Sequence, residues 1–239
     1  MSLSNYEMEI IRRKSEQEPD VIDRLFSKKP DAAKQYAVFL VKNDNELPEN
    51  LLKIVGSAVS MDSFFAKISA MLKLKGSEVP EILMTRLLKT RADAAYYAEA
   101  VLSEDSTAEI EPEVFAKIME DDEEGRVFAA NVLQNNPDVE LPEEMVALLK
   151  YSSQAAYNIA VKQLQNRVKK YQDLDKNIIE AISRDPRLAS RFAHFVQPYV
   201  DETPEEILKN IRNPETIRAK WHTGITVKEN FSEFFKSRN

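Results

Sequence analysis

No cysteine occurs anywhere in the 239 residues. That removes disulfides, thiolate metal centres and cysteine nucleophiles, and it suits a reducing compartment, so the expected location is the cytoplasm. Glycine is almost as scarce, with four residues. Phosphate-cradling loops, tight hairpins and crowded sheets all draw on glycine, so its shortage points to an all-helical chain. Histidine occurs only as His194 and His222, which leaves little material for imidazole acid–base chemistry. No apolar run is long enough to span a bilayer, and Met1-Ser2-Leu3-Ser4 does not begin a signal or transit peptide. No membrane role is expected.

Charge is what the chain has in quantity. Charged residues make up 31% and hydrophobic residues 43%, enough apolar surface for an ordered core. The net charge of -7 conceals a segregation. Residues 1–98 carry 15 basic and 14 acidic side chains, residues 99–147 carry 2 and 15, and residues 148–239 carry 16 and 11. An acidic middle followed by a mildly basic end can orient a partner.

The strongest pattern is a proline followed by an acid at Pro19-Asp20, Pro48-Glu49, Pro80-Glu81, Pro112-Glu113, Pro142-Glu143 and Pro204-Glu205. Asp175-Lys176 fills the one gap, and the spacing is then 29 to 33 residues throughout. A fixed period in this range marks stacked copies of one supersecondary unit. With each proline (or Asp175) as position zero, position three is Ile22, Leu51, Leu83, Phe115, Met145, Ile178 and Ile207. Position seven is Phe26, Val55, Leu87, Met119, Leu149, Ile182 and Ile211. A spacing of four puts each pair on one helix face. Proline is tolerated in a first helical turn, and the acid after it meets the positive end of the helix dipole.

A second helix is expected in each copy after a short polar break. Position eighteen is Ala37, Ala66, Ala98, Ala160 and Ala193, each preceded by a bulky residue. The fourth copy has Ala129 one place early, which reads as a deletion near Glu123-Glu124-Gly125. A small residue lets helix axes approach, and its bulky neighbour fills the adjacent groove. Each hairpin alone leaves a face uncovered, so stability must come from the next hairpin.

The segments Leu87-Leu88 through Asp93-Ala94-Ala95-Tyr96-Tyr97-Ala98, and Ile182-Ser183-Arg184-Asp185-Pro186 through Phe192-Ala193, carry a resemblance. They resemble the short HEAT-type helical repeat, in which an apolar helix end leads through an Asp-Pro turn to a helix with a packed alanine. The resemblance implies an all-α, right-handed alpha-alpha superhelix, or solenoid, of about seven hairpins. Its expected parts are an N-terminal capping helix over 1–18, the repeats over 19–211 and a C-terminal capping segment over 212–239. HEAT-like families mostly act as scaffolds and adaptors. A few bind DNA or act on damaged bases, as the alkylpurine-DNA glycosylases do, and some attach bilin pigments.

No glycine-rich phosphate loop, metal-binding His-Glu pair or nucleophile with a partner at recognisable spacing is present. No catalytic, cofactor-binding or metal-ligating residue is therefore expected, and the chain reads as a non-enzyme. Two charged sets are candidates for interaction. Glu120, Asp121, Asp122, Glu123 and Glu124 fall at the turn inside the fourth copy, as a solvated helix start or a docking patch for a basic partner. Lys162, Arg167, Lys169 and Lys170, with Arg187 and Arg191 one turn apart, could face phosphate or an acidic partner. Trp221 and His222 belong to the expected cap. The leading expectation is a protein partner held by the repeat surface, with nucleic-acid binding through the basic C-terminal third as the alternative.

Overall fold

The computed structural model describes residues 3–57, 63–166, 168–200 and 205–208. Every regular element among them is helical. The chain divides into two compact units, Met1–Glu120 and Asp121–Asn239.

The first unit contains α1 (Asn5–Gln17), α2 (Val21–Phe26), α3 (Pro30–Lys42), α4 (Glu49–Ser57), α5 (Phe64–Leu74), α6 (Glu81–Leu87), α7 (Arg91–Glu104) and α8 (Pro112–Ile118). Contacts run between alternate helices. Helix α4 lies between α2 and α6, and α5 lies between α3 and α7. Helix α1 lies on α2 and α3, and α8 packs on α7. The second unit contains α9 (Asp122–Asn135), α10 (Glu143–Ala147), α11 (Ser153–Gln165), α12 (Lys176–Arg184), α13 (Pro186–Phe195) and α14 (Glu205–Leu208). A 3-10 turn over Leu148–Tyr151 extends α10. Here α11 contacts α9 and α13, and α12 contacts α10 and α14.

The periodic positions form the core. Ile22, Leu51, Leu83, Met145, Ile178 and Ile207 are buried at position three, and Phe26, Val55, Leu87, Leu149 and Ile182 at position seven. Each such side chain contributes roughly 1.5–3 kcal/mol relative to exposure. Ile211 lies outside the described residues. The fourth copy departs: Val114 and Ile118 are buried, whereas Phe115 and Met119 are only partly so. The cause is where the helix begins. Pro80 and Pro142 are N-cap residues with extended ψ angles of 141° and 139°, whereas Pro112 is already helical and Glu111 is the N-cap. Either place omits only an N–H that has no intrahelical partner. Counted from Glu111, positions three, seven and eighteen become Val114, Ile118 and Ala129. No deletion near Glu123 is then needed, because the proline stands one place further into its helix.

The alanines at position eighteen are all buried, and so are the small residues one turn before them: Ala33, Ala94, Gly125, Ala156 and Ala189. Two small residues on one face let these five second helices approach their neighbours closely. The bulky residue at position seventeen (Tyr36, Phe65, Tyr97, Phe128, Ile159 or Phe192) is buried beside them. Side-chain caps start several of these helices. The Thr90 hydroxyl accepts from the Asp93 N–H at 3.1 Å, and Asp185 accepts from Arg187 and Leu188 at 2.8 and 3.2 Å. Removing such a cap typically costs about 1 kcal/mol. Asp185 ends α12 and caps α13 at once, with Pro186 first in the helix, so the Asp-Pro turn of the sequence is a working hairpin corner.

Candidate functional site

Within the first unit, the outward face of α3 forms the floor of an open groove of about 1030 Å³. Lys34, Val38 and Lys42 succeed one another at four-residue intervals and share one stripe of the helix. Asn5 and Met8 of α1 close one side, while Phe64 and Lys67 from the first turn of α5 close the other. Helix α1 is set in place by its own capping box, in which Ser4 and Glu7 satisfy each other's free groups. Just ahead of it, the Leu3 N–H donates to Gln35 Oε1 at 3.2 Å. Phe64 is held by buried Phe65, their rings edge-on at 5.7 Å. The Lys34 ammonium lies 5.5 Å from the centre of the Phe64 ring, a cation–π arrangement. Lys42 and Lys67 are exposed, and among the described residues the only carboxylate on the rim is Asp31. These groups can hold an anion next to an apolar side chain.

A second cluster lies in the same unit. The Glu111 carboxylate accepts from the Lys73 ammonium at 2.9 Å and from the Tyr97 hydroxyl at 2.8 Å. Three helices meet there, because Lys73 is on α5, Tyr97 on α7 and Glu111 caps α8. Burial pushes the Glu111 carboxyl up, but Lys73, the residue's own backbone and Tyr97 together hold it below its ordinary value. Burial, and then the hydrogen bond to Glu111, push the Tyr97 phenol up. A depression of about 370 Å³ opens beside this cluster, with Glu78, Glu81 and Glu113 on its rim.

The acidic run is largely absorbed by helix chemistry. Asp121 caps α9, accepting from the N–H groups of Glu123 and Glu124 at 3.0 and 3.1 Å. Glu123 accepts from Arg126 Nε at 2.9 Å, and that bond holds its carboxyl below the usual range. Glu120 accepts from Lys117 at 2.8 Å. Asp122 and Glu124 are exposed in the first turn of α9, where negative charge is favoured.

The basic set is also partly engaged. Lys162 donates to the Gln134 carbonyl near the end of α9. Arg191 stands 5.1 Å over the Tyr157 ring, so it joins α13 to α11. Arg187 and Lys170 are exposed, Lys169 is partly so, and His194 is exposed on α13. The second unit therefore uses Lys162 and Arg191 between neighbouring helices. Arg167, Trp221, His222 and the segment expected to cap the chain, 212–239, lie outside the described residues.

Sequence reasoning missed both the α3 groove and the Lys73–Glu111–Tyr97 cluster. For the groove, the Lys34, Val38, Lys42 stripe was a readable signal. Among the described residues no group of three or more histidines or carboxylates could hold a metal, and no helix is long and apolar enough to cross a membrane. No protein-family model, curated protein or solved structure matches the chain significantly.

Proposed function

We propose that the chain is a non-catalytic scaffold or adaptor, a HEAT-like alpha-alpha solenoid that binds protein partners through the outward faces of its second helices. The observation that carries this reading is a contrast between two positions on the same helices. Positions fourteen and eighteen are small and buried wherever they are described. Position sixteen differs from copy to copy: Gln35, Phe64 and Tyr96 in the first unit, Val127, Asn158 and Arg191 in the second. The frame repeats while the face beside it is diversified, as in a repeat protein whose surface is read by a partner. Tyr96 and Val127 stay 45% and 42% exposed although their helices are otherwise well packed. Nucleic-acid binding is less favoured, because Lys162 and Arg191 already serve contacts between helices.

A photo-crosslinking amino acid at Tyr96 or Asn158, compared with one at exposed Lys53 or Glu144 on the first helices, tests the reading in extract of the source cells. Specific protein adducts are expected from the first pair and not the second. Equal labelling from both pairs, or adducts that vanish on nuclease treatment, would refute it.

A further inference from the structure

We propose that α1 is a displaceable strap over a helix-binding site on α2 and α3, and that an amphipathic helix of a partner protein takes the site when α1 lifts. This deepens the scaffold reading and rests on it. The first ground is how little fastens α1. Helices α1 and α3 are both 13 residues long, yet α1 buries one side chain, Met8, and α3 buries six. The polar groups of α1 are satisfied within the helix itself. Ser4 and Glu7 close the capping box, Glu9 pairs with Arg12 and Arg13 at 2.8 and 3.0 Å, and Arg12 also reaches Glu16. These contacts travel with the helix, so lifting it breaks few of them. Among the described residues, the one hydrogen bond from this segment to α3 is the Leu3 N–H to Gln35 Oε1 at 3.2 Å.

The second ground lies beneath α1. Met8 joins a buried cluster with Ile22, Phe26, Tyr36 and Phe39, and Ile11 packs against it. Tyr36 is wholly buried, its ring 5.2 Å from that of Phe26 and 6.2 Å from that of Phe39. The α1 groups that act on its hydroxyl are Ser15, Arg12, Glu9 and Glu16. No hydrogen bond of ordinary geometry reaches that hydroxyl among the described residues, and Ser15 donates instead to the Arg12 carbonyl at 2.8 Å. A buried phenol left without a partner is costly, so α1 is an imperfect occupant of this surface. Met8, Ile11 and Ser15 stand at i, i+3 and i+7, on one helix face. A partner helix with apolar residues at i and i+3 and glutamine at i+7 repeats these contacts. Its longer side chain also supplies the acceptor that Tyr36 lacks.

A fluorescent peptide of residues 3–18, in the native sequence and with Ser15→Gln, measures the site on the whole chain by anisotropy. Wild type should bind the native peptide weakly, because its own α1 competes. Met8→Asp, whose α1 is loosened, should bind it roughly tenfold more tightly. The Ser15→Gln peptide should bind Met8→Asp roughly tenfold more tightly again, and that gain should vanish when Tyr36→Phe is added. Hydrogen exchange of wild type should show the α1 amides opening as a unit before those of α3. Circular dichroism of each variant separates lost binding from lost folding, and Ile11→Asp serves as the loosened chain if Met8→Asp does not fold. Equal binding to wild type and the loosened chain, a glutamine gain that is absent or survives loss of the phenol, or α1 amides no faster than those of α3 would overturn the strap. A concentration-dependent dimer dissolved by the peptide would give the site to a second copy and overturn the partner assignment. Tyr96 and Asn158 lie on other helices, so the crosslinking comparison there decides the scaffold reading independently.

Discussion

Replacing Tyr97 with phenylalanine keeps the buried ring and deletes one oxygen. The hydroxyl it removes donates 2.8 Å to a carboxylate that also receives Lys73. A hydrogen bond to a charged acceptor contributes roughly 1.5–3 kcal/mol. The Glu111 side chain is 24% exposed, so water can replace part of the lost bond, and the expected cost lies at the lower end, about 1.5 kcal/mol. For a chain of this length that is a fall in Tm of about 3–6 °C. Urea and thermal unfolding followed by circular dichroism at pH 7 measure it. Glu111→Gln supplies the second arm. Because the folded carboxyl titrates below its ordinary 4.5, its contribution is present above that value and is lost as pH falls through the folded value. Wild type should therefore lose more stability on acidification than Glu111→Gln does. The two substitutions should also be non-additive, since both act on one contact. A cost under about 0.5 kcal/mol, strict additivity, or the same acid response in both proteins would refute the assignment of this cluster as a clasp across α5, α7 and α8.

Two further substitutions probe the packing. Ala98→Leu forces three extra carbons into a buried approach between helices and should cost about 1–3 kcal/mol in urea unfolding, whereas Val127→Leu on the outward face should change stability by less than about 0.5 kcal/mol. Ser69 is fully buried and its hydroxyl has no hydrogen-bond partner among the described residues, so Ser69→Ala should raise the urea midpoint, by about 1 kcal/mol of stability.

The helical core was legible because its signal is local. Ile22 and Phe26, or Leu83 and Leu87, are four residues apart and bury the same face, which periodicity alone reveals. The fourth copy was misframed for an equally physical reason. Proline is accepted both as an N-cap and as the first helical residue, so Pro112 marks the helix start only to within one position; burial of Val114 and Ile118 fixes it. The charged runs left two readings open, a helix start or a docking patch, because capping by Asp121 and the Glu123–Arg126 bond depend on where α9 begins. The groove was hidden because Met8, Val38 and Phe64 come from three separate helices. Their meeting depends on how α1 and α5 flank α3, which no window of sequence contains.

The stretch from position zero to the packed alanine is eighteen residues in all six copies, while the link from that alanine to the next start runs from eleven residues (Ala37 to Pro48) to fifteen (Ala160 to Asp175). The differences in length fall in one of the two kinds of corner. The inner corner is a gauge of fixed length, because a single inserted residue there would rotate the second helix by about 100° and turn its alanine seam toward solvent. The outer corner is where new sequence can be accommodated without disturbing the seam.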